Sequence, residues 1–75
     1  MFMDISTTGR LLLQLLDHHV SRDLDDLVRL GNGRLGRGSS SAVLDRLQAD
    51  GLVRVRSDGF FHLTEPGSAL AMSLR

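Results

Sequence analysis

A chain of 75 residues without cysteine is long enough for one small domain and excludes disulfide bonds and thiolate metal sites. Nine basic residues, all of them arginine, balance nine acidic residues, so the net charge is zero. No apolar run approaches the roughly 20 residues that span a bilayer, and nothing resembles a signal peptide, so we expect a cytoplasmic protein. A chain this short also buries little apolar surface, which favours oligomerisation.

The charges are unevenly distributed along the sequence. Residues 1–33 contain five aspartates and three arginines, a net charge of −2, whereas residues 34–56 contain five arginines and two aspartates, a net charge of +3. A basic segment suits a polyanionic partner. The zero net charge of the whole chain argues against such a partner, because nucleic-acid binders are usually basic.

Helix 1 is predicted over about residues 8–19, where leucines recur at helical spacing. Leu13 lies off the main apolar face, so we expect it to be open to a second copy of the chain. His18 and His19 fall in the last turn, but adjacent histidines on a helix point in different directions and do not make a metal site. The cap would be Thr7 or Thr8, and the core face would comprise Leu12, Leu15, Leu16 and part of Leu11.

Helix 2 is predicted over about residues 22–31, with Ser21 as its N-cap. Three aspartates crowd its first turn, where the positive end of the helix dipole favours them, and we interpret them as facing solvent. Val20 and Ser21 could form a short extra strand before the helix. The inward positions would be Leu24, Leu27, Val28 and Leu30.

Glycines and arginines dominate the connection to helix 3, residues 31–38. A phosphate-binding P-loop would need a preceding buried strand and a Gly-Lys-Ser or Gly-Lys-Thr ending, and neither is present. We therefore expect a flexible turn that can lay Arg34 and Arg37 along a phosphate backbone. Helix 3 is predicted over about residues 37–50, with Gly36 at the cap and a left-handed Gly51 after its end.

A β-hairpin is predicted over residues 52–64. A two-residue turn at Asp58-Gly59 would mix charged and apolar side chains on one face. A three-residue loop, residues 57–59 with a left-handed Gly59, instead pairs Val55 with Phe61 and Val53 with Leu63, which makes one face wholly apolar. The other face would carry Arg54, Arg56, Phe60 and His62, with Phe60 as an exposed aromatic residue.

Two strings resemble winged helix-turn-helix domains of bacterial and archaeal transcription regulators of the MarR and PadR families. The first is LDRLQADGLV, residues 44–53, at the end of the recognition helix and the start of the wing. The second is LTEPG, residues 63–67, which resembles the join from the wing to the next helix, here about residues 66–74. The resemblance implies a mainly α fold with a small antiparallel hairpin, as one domain over residues 1–75. The helix-turn-helix turn is about two residues longer than usual.

The resemblance also implies which residues face DNA. The positions that relatives turn toward DNA fall on Arg37, Ser39, Ser41 and Ala42, in the first turns of helix 3. Many relatives have a long polar residue at the position of Ala42. Alanine can make only an apolar contact there, with a thymine methyl group. Arg46 could reach phosphate or pair with Asp50. The full predicted set is Arg34, Arg37, Ser39, Ser41, Ala42, Arg46, Arg54 and Arg56.

These features predict a double-stranded DNA-binding transcription regulator of a prokaryote. We expect a homodimer through helix 1, helix 4 and the N-terminal segment, with Leu13, Leu74 and Phe2 at the interface. The alternative is a winged-helix module that binds proteins, which the zero net charge and Ala42 favour. We expect no enzyme, since no nucleophile-base pair or metal cluster is visible, and no cofactor, metal or membrane partner.

Overall fold

This computed structural model describes residues 6–17 and 21–74. Four helices surround the core, and the third and fourth are separated by a two-stranded antiparallel hairpin. This arrangement is the predicted winged helix-turn-helix. In chain order the elements are α1 (Thr7–Leu16), α2 (Leu24–Leu30), α3 (Arg37–Ala49), β1 (Val53–Val55), β2 (Phe61–Leu63) and α4 (Glu65–Ser73).

The centre of the core is formed by α1. Leu12, Leu13 and Leu16 are fully buried, and the helix packs against α3, α4 and β2. The expectation that Leu13 is open to a second chain is therefore wrong, because neighbours cover a wider arc of α1 than its main apolar face. The rest of the buried apolar set is Leu27, Leu35, Leu44, Leu47, Leu52, Val53 and Ala71.

The observed start and end of α1 differ from the prediction. Its N-cap is Ser6, whose Oγ accepts a hydrogen bond from the backbone N–H of Gly9 at 3.0 Å, so the cap is not a threonine. The helix ends at Leu16, with Asp17 at the C-cap. The predicted extension through His18 and His19 lies outside the described residues, as does Phe2.

An isolated antiparallel β-bridge to the hairpin precedes α2, and the helix begins two residues later than predicted, at Leu24. Arg22 pairs with Phe61: the Arg22 N–H donates to the Phe61 carbonyl at 3.1 Å, and the Phe61 N–H donates to the Arg22 carbonyl at 2.7 Å. The N-cap is consequently Asp23 and not Ser21, with its carboxylate accepting from the Asp26 N–H at 2.8 Å. A short extra pairing before helix 2 therefore exists at Arg22, while Val20 lies outside the described residues.

Only part of α2 faces inward. Leu27 is fully buried, but Leu30, predicted to point inward, is 44% exposed because it lies in the last turn, at the edge of the core. Asn32 and Gly33 then adopt positive φ angles of 52° and 86°, which end the helix and redirect the chain. Leu35 returns the chain to the core.

The inward side of α3 combines two leucines and one serine. Leu44 is fully buried and Leu47 nearly so, and Ser40 on the same side is also fully buried. Gly36 occupies the N-cap, as predicted, and provides no side-chain hydrogen bond there. Gly51 has φ 76°, which confirms the left-handed residue after the helix.

The hairpin has the predicted register. Val53 pairs with Leu63 and Val55 with Phe61, and Gly59 has φ 86° in the three-residue loop. The expectation that the whole apolar face packs on the helices is wrong at one position. Val53 is 2% exposed, whereas Val55 is 45% exposed, because the hairpin extends beyond the edge of the core toward its tip.

A close approach of backbones joins the hairpin to α4. The Thr64 N–H donates to the Leu52 carbonyl at 3.1 Å, and the Thr64 hydroxyl donates to the Gly51 carbonyl at 2.6 Å. The same hydroxyl oxygen caps α4 by accepting from the Gly67 N–H at 3.1 Å. A side chain at Gly67 would overlap the Leu52 carbonyl, so only glycine allows this contact.

Substitution of Gly67 by alanine tests this contact. We expect Gly67→Ala to lower the free energy of unfolding by about 1–3 kcal/mol, because the added methyl group must displace backbone rather than a mobile side chain. Gly38→Ala is the matched control: its methyl group would meet open space, and alanine in a helix should be neutral or stabilising by up to about 1 kcal/mol. Urea denaturation measures both. Equal effects of the two substitutions would contradict the close approach.

Ser40 supplies a second test of the packing. Its Oγ is buried and has no hydrogen-bond partner among the described residues. An unpaired buried hydroxyl is destabilising, so Ser40→Ala should raise the free energy of unfolding by up to about 1 kcal/mol. Ser39→Ala and Ser41→Ala, at exposed neighbours, should leave it nearly unchanged. Destabilisation by Ser40→Ala would show that the hydroxyl is satisfied after all.

Candidate nucleic-acid interface

The first turns of α3 expose a polar surface. Ser40 and Leu44 are buried on the side of α3 that faces the core. The exposed sides of the helix therefore carry Ser39, Ser41 and Ala42. Arg37 begins the helix and is also exposed. The structure therefore leaves all four predicted helix 3 positions accessible, and it assigns the middle serine of the run to packing.

An ion pair from another helix engages Arg37. Its guanidinium donates to the carboxylate of Asp25, in the first turn of α2. A cation at a helix N-terminus is disfavoured by the dipole, and Gly36 brings no acceptor of its own to this end. Asp25 therefore supplies the negative charge that the start of α3 lacks.

Two more arginines of the predicted set have carboxylate partners. Arg46 Nε lies 3.3 Å from Asp50 Oδ2 at the C-cap of α3, which is one of the two partners expected for Arg46. Arg56 lies 3.9 Å from Asp58 in the hairpin loop. The Asp58 carboxylate also accepts from the Phe60 N–H at 3.1 Å, which holds it beside the loop.

The outer face of the hairpin is basic and partly apolar. Arg54 lies opposite His62 in the register, and both Arg54 and Arg56 are exposed. Phe60, expected to be an exposed aromatic residue, is half-buried. Arg56 and His62 line an open groove of 480 Å³ with Ser21 and Leu63.

Arg34 lies beside α1. With residues of the first turns of α1 it lines an open groove of 310 Å³, which also includes Arg10. Within residues 6–17 and 21–74, neither Arg34 nor Arg54 has a carboxylate partner. The other residues of this groove are Thr7, Thr8, Leu11 and Gln14.

Folding changes the charge balance of this region. The segment 34–56 has a net charge of +3 in the sequence, from five arginines, Asp45 and Asp50. Asp25 and Asp58 lie outside that segment but pair with its arginines, which reduces the local net charge from +3 to +1. Sequence reasoning missed Asp25, because its position in an aspartate-rich first turn is equally typical of a solvent-facing helix end.

Other site types find no support in the part of the chain that the structure describes. No group of three histidine, cysteine or acidic side chains there could hold a metal ion. No described helix is long and apolar enough to cross a membrane. The polar groups exposed on α3 and the hairpin are mainly arginine guanidinium groups and serine hydroxyls.

Known structures resemble this chain closely, although no protein family description and no curated protein matches it. NadR in complex with 4-hydroxyphenylacetate superposes with a TM-score of 0.83 and 26% identity over 95% of this chain and 53% of that one. Ligand-free NadR gives a TM-score of 0.80 and 30% identity over 95% and 52%. The MarR family protein Rv2887 of Mycobacterium tuberculosis gives a TM-score of 0.77 and 23% identity over 92% and 50%.

A fourth structure is similar over almost its whole length. A candidate DNA-binding protein from Ralstonia eutropha gives a TM-score of 0.69 and 30% identity over 95% of this chain and 98% of that one. By contrast, the chain spans about half the length of NadR and Rv2887. Rv2887 is a MarR family protein and the Ralstonia neighbour is a candidate DNA-binding protein, and neither description is that of an enzyme. The chain therefore has the MarR-like winged helix-turn-helix fold.

Proposed function

We propose that this chain binds double-stranded DNA as the DNA-reading domain of a prokaryotic transcription regulator. The first turns of α3 would enter the major groove, and the hairpin would lie on the phosphate backbone. The observation that supports the proposal is that one side of α3 packs in the core while the other side is exposed. Ser40, Leu44 and Leu47 fix the helix to the core, and the predicted reading positions beside them remain accessible.

The chemistry of the exposed positions suits this role. Ser39 and Ser41 can donate to or accept from base edges, and Ala42 can contact a thymine methyl group. Arg37 is long enough to reach a phosphate or a guanine. Arg34, Arg46, Arg54 and Arg56 would contact phosphates, which fixes orientation without reading sequence.

A protein-binding module is the second candidate function. The specific observation in its favour is that three of the five arginines in residues 34–56 are paired with aspartates, which leaves a weakly charged surface. Such a surface suits a protein partner better than a polyanion. Absence of duplex binding at low salt would favour this second function.

Alanine substitutions separate base reading from backbone contact. Ser39→Ala and Ser41→Ala should each weaken binding to a selected site by about 1–3 kcal/mol where they touch base edges, with a smaller effect on unrelated duplexes. Arg54→Ala and Arg56→Ala should weaken binding to all sequences alike. Fluorescence anisotropy with selected and scrambled duplexes of equal length measures the difference.

Ser40→Ala is the matched control for the serine substitutions. Because the Ser40 hydroxyl is buried, its removal should leave DNA affinity unchanged although it alters stability. A loss of affinity in Ser40→Ala equal to that in Ser39→Ala and Ser41→Ala would contradict the assigned reading face.

We further propose that the protein acts as a symmetric dimer on inverted half-sites spaced by about one helical turn of DNA, roughly 10 base pairs. Since Leu13 is buried, it cannot contribute to the interface as expected, and Leu74 is half-buried against the core. Met72 on α4 is 61% exposed and is the largest apolar side chain available on that helix. We assign it to the interface.

Glutamate at position 72 tests the dimer. Met72→Glu should give a folded monomer, because the substituted side chain is exposed within one chain but would be desolvated between two. Leu30→Glu, at an exposed apolar position of α2, should leave the oligomeric state unchanged. Sedimentation equilibrium measures the mass, and circular dichroism checks the fold. An unsubstituted protein that remains monomeric well above micromolar concentration would eliminate the dimer.

A further inference from the structure

Asp25, in the first turn of α2, forms an ion pair with Arg37, in the first turn of α3. We infer that its carboxylate occupies the guanidinium of Arg37 in the free protein and is exchanged for a DNA phosphate on binding. This inference rests on the proposed DNA-binding function and deepens it, because it assigns a role to a residue of α2. Asp25 would lower the affinity for DNA by competing with phosphate for Arg37, and it would make no attractive contact with the DNA itself.

The geometry supports an exchange rather than a permanent structural pair. The two residues are twelve positions apart, on the first turns of two different helices across the lengthened turn. Their side chains are 64% and 61% exposed, so solvent and a phosphate can both reach the pair. Exposed pairs of this kind contribute little to folding stability, and a competing anion can therefore displace the carboxylate.

The chemistry of the two acceptors is equivalent. A carboxylate and a phosphate both accept two hydrogen bonds from a guanidinium, so Arg37 can satisfy the same donors in either state. When the phosphate takes the guanidinium, Asp25 is left beside a polyanion, which opposes binding to any duplex. Repulsion between like charges at an interface is a recognised means of suppressing unwanted partners.

The same arrangement recurs at Arg46 and Arg56, with Asp50 and Asp58 as partners. Asp25 is the most informative of the three, because its partner lies on another helix. The Arg46–Asp50 pair joins neighbouring turns of one helix, which is common in exposed helices regardless of function. The Arg56–Asp58 contact, at 3.9 Å, is the longest of the three.

The test is a double-substitution cycle between Asp25 and Arg37, with DNA affinity as the readout. Asp25→Asn should raise affinity for both selected and unrelated duplexes by about threefold to tenfold at low salt, and the gain should shrink as salt screens the charges. The gain should be clearly smaller in the Arg37→Ala background, where only the repulsion between Asp25 and the duplex remains. Thermal unfolding of each variant checks that the fold is intact.

Asp26→Asn is the matched control. It removes the same charge from the next residue of the same helix, but its partner is Arg29, at 3.5 Å, which is not in the proposed interface. We expect its effect on affinity to be less than about twofold, because the remaining contribution is long-range and screened. Equal gains from Asp25→Asn and Asp26→Asn would show a general charge effect and overturn the inference.

The outcomes separate this inference from the proposed function. A gain from Asp25→Asn that is undiminished in the Arg37→Ala background, or a loss of affinity in Asp25→Asn, would overturn the exchange while DNA binding itself stood. If neither the unsubstituted protein nor Asp25→Asn binds any duplex at low salt, the proposed function fails and the exchange fails with it. Binding by Asp25→Asn alone would support both.

Discussion

The burial of one side of α3 is the constraint on which the rest of the structure depends. Ser40, Leu44 and Leu47 recur at helical spacing and are covered by α1 and α2, which fixes the rotation of the helix about its axis. A different rotation would bury the exposed serines and leave leucines in water. The same three side chains thus form part of the core and determine which residues α3 presents to a partner.

The hairpin and α4 depend on the end of this helix. Gly51 closes α3 with a left-handed residue, and the next carbonyl, that of Leu52, receives the Thr64 N–H. Gly67 lets the first turn of α4 approach that carbonyl. The end of α3, the base of the hairpin and the first turn of α4 therefore meet at one place. These contacts fix the orientation of the outer face of the hairpin relative to α3.

Charge has a different role from packing here. Burial determines which groups are accessible, but the internal ion pairs determine how strongly positive the accessible surface is. Three arginines of the predicted DNA-binding set are paired with aspartates in the free molecule, and of these three pairs only Arg46–Asp50 corresponds to a spacing along one helix. A domain with zero net charge can bind DNA if its arginines are released on contact, which reconciles the composition with the fold.

Much of the fold could be predicted from the sequence because its signals are local. The left-handed glycines at positions 51 and 59 and the alternation of apolar residues in the strands defined the helix end and the hairpin register. Two of the errors arose where distant parts of the chain meet. Leu13 is buried by packing on several sides of α1, and Asp23 replaces Ser21 as a cap because Arg22 pairs with Phe61.

The candidate site also has features that could be predicted from the sequence and one that could not. The resemblance to winged helix-turn-helix regulators, aligned outward from Leu44 and Leu47, implied Ser39, Ser41 and Ala42 as reading positions. Their exposure agrees with the helical periodicity of α3. The pairing of Arg37 with Asp25 could not be predicted, because it depends on how α2 and α3 are placed across an unusually long turn. Periodicity determines which side of a helix is buried, whereas tertiary placement determines which charges meet.

We propose that the accessible side of α3 and the outer face of the hairpin form the DNA-binding surface. Titration of the isotopically labelled protein with a duplex, followed by amide chemical shifts, tests it most directly. We expect the largest shifts in residues 37–42 and 54–62 and small shifts in α4. Large shifts concentrated in α4, or no shifts at low salt, would contradict it.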